Sequence, residues 1–170
     1  MRKLSLVMAV FFLATVVWGG EEPAIAIPLR LPKAKVGEWV TYKMSDGGER
    51  REKVVNIRPA GGDGNDSMIT LRRESLVDGI RVDQQDVTFS LADILKETEN
   101  MDLVASGTTL SWGKADFRGA EIDVVVLSSQ IEGLGTSKSL MSDKVPVTGL
   151  LRIELDGKPF LELVDSGDGE

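Results

Sequence analysis

Glu121 and Asp123 stand two residues apart in a run of strand character and so share one face of it. A pair of acids is a hydrolytic apparatus that needs no other catalytic group. That matters here because the chain contains neither histidine nor cysteine. A Ser-His-Asp triad, an imidazole metal site, a thiol nucleophile, an iron-sulfur cluster and a thiolate zinc site are thereby excluded. A carboxylate-dependent glycan hydrolase is therefore the enzymatic alternative that the composition leaves open. The bland account of such pairs is a solvated outer face, and Asp83 with Gln85 and Arg50 with Glu52 repeat the same spacing. The charges of Arg50 to Lys53 and of Arg72-Arg73-Glu74 read as outward strand positions or as protection of a sheet edge. No catalytic residue is assigned.

Two further near-matches fail on physical grounds. Gly61-Gly62-Asp63-Gly64-Asn65-Asp66-Ser67-Met68-Ile69 fits the calcium nonapeptide at every fixed position. That motif holds each ion between stacked repeats, and one copy alone reads as a turn-rich hairpin loop, so no metal and no cofactor is expected. Asn65-Asp66-Ser67 in the same loop is a glycosylation acceptor only in a eukaryotic source. Ser111-Trp112-Gly113-Lys114, Ser142-Asp143-Lys144 and Val147-Thr148-Gly149 mimic the motif order of penicillin-recognising enzymes. Those enzymes need the serine at a helix start, whereas Trp112-Gly113 falls between strand runs.

The elements that would position any site begin with an address. Arg2 and Lys3 precede an uncharged run from Leu4 to Trp18 that closes on Gly19 and Gly20, the order of a secretory signal. Residues 1–20 are read as that signal, with cleavage at Gly19-Gly20 or at Ala24-Ile25-Ala26. A secreted or periplasmic location follows, with membrane contact only through the signal. Its removal takes the net charge from -7 to -9, since Arg2 and Lys3 leave and no acid leaves with them. Such an acidic chain repels nucleic acid and anionic surfaces.

Residues 21–35 carry Pro23, Pro28 and Pro32 and read as an extended lead-in laid over the surface or an edge. Residues 36–167 form one β-rich domain. Its runs are Glu38 to Met44, Arg50 to Ile57, Ser67 to Val77, Ile80 to Phe89, Leu103 to Trp112, Ala120 to Ser129, Lys138 to Ser142, Val147 to Leu155 and Phe160 to Val164. Asp46-Gly47, Asp78-Gly79 and Asp156-Gly157 are hairpin turns, because primed turns require positive φ. Ser90-Leu91-Ala92-Asp93 has capping-box form, and Leu91, Ile94 and Leu95 recur at helical spacing, so a short helix runs from Leu91 to about Glu97. The core draws on Trp39, Val55, Ile57, Ile69, Leu71, Val124, Val126, Leu151, Ile153, Leu161 and Leu163. The fold class is mainly β, a curled antiparallel sheet or open half-barrel with one short helix.

Three segments carry a resemblance. They are Val36-Gly37-Glu38-Trp39-Val40-Thr41-Tyr42-Lys43, Lys114-Ala115-Asp116-Phe117-Arg118-Gly119-Ala120, and the closing hairpin from Ser142 to Gly167. Together they resemble exported bacterial proteins of unknown function, similar in architecture to the lipoprotein-localisation-factor group. The middle segment departs from the pattern by lacking its proline and threonine. The resemblance implies a strongly curved sheet whose concave apolar face is plugged by short helices, and it transfers no site residues. The function expected is a non-enzymatic exported domain that binds a lipid or other apolar ligand, or acts as an interaction module for an envelope protein. Leu91, Ile94 and Leu95 would be the lid and Trp39 a wall of the cavity.

Overall fold

The computed structural model describes residues 27–59, 67–99 and 107–168. The signal segment, the calcium-type loop and the start of the run at Leu103 lie outside these residues. Nine strands form one sheet: β1 (Trp39–Met44), β2 (Glu49–Pro59), β3 (Ser67–Val77), β4 (Ile80–Ser90), β5 (Thr109–Phe117), β6 (Ala120–Ile131), β7 (Gly135–Met141), β8 (Leu150–Leu155) and β9 (Lys158–Gly167). Every pairing is antiparallel, in the order β4-β3-β2-β1-β9-β8-β7-β6-β5. The sheet is curled and unclosed, so β4 and β5, consecutive in the chain, are its two free edges. Helix α1 (Leu91–Glu99) starts the connection between those edges and packs on β3 and β4. Ser90 caps it, its hydroxyl accepting the Asp93 amide hydrogen at 3.1 Å.

Turn chemistry sets the register. Asp78-Gly79 and Asp156-Gly157 have positive φ at both positions, as tight primed turns require. Asp46-Gly47 does not, since only Gly47 is left-handed there and the loop is longer. The third such turn is Arg118-Gly119 between β5 and β6. Its strained arginine is anchored by hydrogen bonds to the Ser166 carbonyl at 2.7 Å and the Ser166 hydroxyl at 2.9 Å.

The inner face is held by Val40, Tyr42, Val54, Leu71, Val125, Leu127, Met141, Ile153 and Leu161, with Ile94 of α1 among them. The lead-in departs from its expectation: Ile27 and Leu31 are buried in this core, and residues Leu31–Lys33 form a 3-10 turn. Pro32 near the start of that turn is compatible with it, because its missing N–H would have no partner there. Glu38 locks the lead-in down. It is buried, accepts Arg30 Nη2 at 2.6 Å, and faces the Val147 amide at 3.4 Å. Gly149 belongs to the same joint, since an added Cβ would sit 3.0 Å from the Ser142 carbonyl oxygen and 3.2 Å from the Pro28 carbonyl oxygen.

A second, smaller core lies outside the curl. β6 runs past its last pair with β7, Val125 with Met141, carrying β5 with it, and the overhanging hairpin packs Phe117, Ala115, Ile122 and Val124 against Val145, Leu151 and Leu163. Of the run placed at Leu103 to Trp112, the described part is strand from Thr109, and it continues to Phe117 with Trp112 and Gly113 inside the strand. Val55 is a further correction. A register shift between Val54 and Asn56 makes Val55 the extra residue of a bulge, so Val54 takes the buried position.

Candidate functional site

The site grows from the end of β4 onto α1. Phe89 is half-buried on the inner face opposite Ile69, and Leu91 begins the helix beside it. Ile94, one turn on, is buried in the main core, because residues three apart share a helix face. Leu95 lies off that face and is exposed. Of the four expected ligand contacts, then, Leu91 and Ile94 come together, while Leu95 sits at the outer side of the helix.

Trp39 is placed elsewhere. Its neighbours Val40 and Tyr42 point into the core, so the pleat turns Trp39 to the opposite face from Val40. There the Arg51 guanidinium stacks 5.5 Å from its ring centroid, and an added Cβ on Gly167 would come within 2.3 Å of its Nε1. Trp39 is a joint between β1, β2 and β9, not a wall of the concavity.

Charges that sequence reasoning placed outside are found inside. Arg50 and Glu52 alternate with Val54 on the inner face of β2, and the register sets Glu52 opposite both Val40 and Arg73. Glu52 is buried, ion-paired to Arg50, and 3.0 Å from Arg73 Nε. That last pair is close but misaligned for a hydrogen bond, since Arg73 Nε is buried without one among the described residues. Arg73 reaches along the trough to stack its guanidinium 5.7 Å from the Phe89 centroid. Tyr42 lies on the same inner face. Its hydroxyl donates to the Leu150 carbonyl at 3.0 Å, leaving Thr148 Oγ1 at 3.1 Å to donate in return. Burial, and after it the charge of Glu52, push its phenol far above the usual tyrosine range.

The paired acids have the opposite surroundings. Glu121 and Asp123 stand in phase with Val125 and Leu127, on the face of the overhanging hairpin turned away from the second core, both exposed, with Lys114 Nζ 2.7 Å from Asp123 and 3.7 Å from Glu121. The hydrogen bond and charge of Lys114 hold the Asp123 carboxyl below the usual range. A proton donor for glycoside cleavage needs the reverse shift. Trp112, Gly113, Lys114 and Asp123 line an open hollow of about 440 Å³ here. Among the described residues, no three acids come together to hold a metal ion.

The inward triad was missed because charged side chains at alternate strand positions are the ordinary signature of a wet face. The only available signal was that Arg50 and Glu52 stand in phase with Val54, and reading Val55 as the core position put them out of phase. No family model, curated protein or solved structure matches the chain.

Proposed function

We propose that this chain is an exported, non-enzymatic binding domain that takes an apolar ligand in the concavity of its sheet beside α1. The observation that carries the reading is the open sheet, with edges β4 and β5 unpaired to each other and a short helix resting on β3 and β4. Leu91 and Phe89 line its inner side without being fully buried. A concave, largely apolar surface with a few convergent polar groups is the usual form of a small-molecule site. The signal-like start agrees with an exported protein, and the lack of histidine and cysteine with one that uses no imidazole or thiol chemistry.

The test is uptake of an alkyl fluorophore, together with native mass spectrometry of the recovered protein. Replacing Leu91 by serine should weaken uptake about tenfold, the effect of roughly 1.4 kcal/mol of lost apolar contact, whereas the same change at the outward Leu95 should leave it unchanged. Replacing Glu121 and Asp123 by alanine should leave it unchanged. A protein that takes up no dye and carries no apolar molecule would overturn the reading and leave an interaction module in its place.

A further inference from the structure

Arg73 has an unusual position for an arginine in a β-rich core. It points to the inner face, between Glu52 on β2 and Gln85 on β4 in the register. Its contacts among the described residues are the misaligned ion pair through Nε and the Phe89 ring beneath the guanidinium. Both anchor the flat group without engaging its two terminal nitrogens, which hydrogen-bond to nothing among the described residues. The side chain is 26% exposed, so these donors are reachable. An arginine held by stacking and by its inner edge presents a planar fork, the geometry that grips a carboxylate or phosphate with two parallel hydrogen bonds.

The surroundings fit an anion with a tail. Glu52 is shared with Arg50, so two guanidinium charges face one buried carboxylate. Asp83, the other acid on this side of β4, is exposed toward the hairpin tip and makes no ion pair with Arg73. Gln85, directly opposite Arg73, adds a neutral amide donor. From the guanidinium the inner face runs over Phe89 to Leu91 and Ile94, apolar throughout. We propose that Arg73 receives the anionic head of a single-chain amphiphile whose alkyl tail lies along the half-buried Phe89 and Leu91. This rests on the apolar-ligand reading above and specifies its ligand class. Carboxylate and phosphate heads share the chemistry, and the alkyl tail distinguishes an amphiphile from a free anion.

The experiment titrates the purified protein, stripped of bound lipid, with dodecanoate, 1-dodecanol and acetate. Dodecanoate should bind at least about tenfold more tightly than dodecanol, as a charge-assisted bidentate contact provides, and acetate far more weakly than either. Arg73→Gln should bring dodecanoate down to the dodecanol level while leaving dodecanol unchanged, and Arg73→Lys should fall between. Circular dichroism and thermal melting check that the variants fold, and the comparison of the three ligands on the unaltered protein needs no variant. Equal binding of dodecanoate and dodecanol would overturn the role of Arg73 while sparing the apolar site. Acetate binding as tightly as dodecanoate would overturn the amphiphile in favour of a free-anion site. No binding of any of the three would remove both readings.

Discussion

The triad of Arg50, Glu52 and Arg73 and the cluster of Lys114, Glu121 and Asp123 are built alike, from charged residues two apart on one strand facing an opposite charge on the next. They differ in where the sheet puts them. Glu52 keeps only 3% of its side chain in solvent, whereas Glu121 keeps 71% and Asp123 65%. Water screens the second cluster and leaves it energetically slight. In the first, charges are partly stripped of water, so each partner is needed by the others. Identical spacing therefore carries opposite consequences, and burial alone decides which.

Glu52→Gln should break the comparison hardest. It removes the buried carboxylate charge that two inward guanidinium groups share, at a cost of about 3 kcal/mol, the lower end of the range for a broken buried pair because both arginines keep some solvent contact. Urea denaturation reads this directly, and a loss under about 1 kcal/mol would mean that the triad is effectively wet.

Tyr42→Phe comes next, removing a buried hydroxyl with two partners for about 1–2 kcal/mol. It also has a pH signature. A phenol whose pKa is raised in the folded state contributes stability that is complete below the unfolded value of about 10 and is lost as pH rises beyond it. Tyr42 is the sole tyrosine, so phenolate absorbance reports it alone. The native protein should show no phenolate through pH 10 and develop it only as it unfolds. A reversible titration near pH 10 in the folded protein would contradict the buried placement.

At the small end, Glu121→Gln and Asp123→Asn should each shift stability by less than about 0.5 kcal/mol. Smallest of all in stability is the joint replacement of Arg50 and Arg73 by methionine and Glu52 by leucine, which should be near neutral because a buried ion cluster seldom outperforms apolar residues of similar volume. It sharpens the contrast, since stability retained with dodecanoate selectivity lost would assign the triad to binding.

What the sequence determined by itself was whatever local physics controls. Asp78-Gly79 and Asp156-Gly157 adopt the left-handed turns expected of them, Ser90 caps α1, and the run Ser67–Val77 between its turns matches that strand at both ends, because turns, caps and strand runs depend on neighbours a few residues away. Those signals sufficed for a curled antiparallel sheet with one helix. Tertiary structure decided which face was which. A single bulge at Val55 moved burial to Val54 and carried Arg50 and Glu52 inward with it, since a one-residue slip exchanges the faces of every position beyond it. Likewise packing chose the face of Val40 and Tyr42 as the buried side of β1 and left Trp39 on the other, and Ile27 and Leu31 became core although their prolines suggested a surface strap. Each outcome turns on which distant strand or loop fills the space alongside, and that is set by packing between segments far apart in the chain, as when Tyr42 bonds Leu150, 108 residues on.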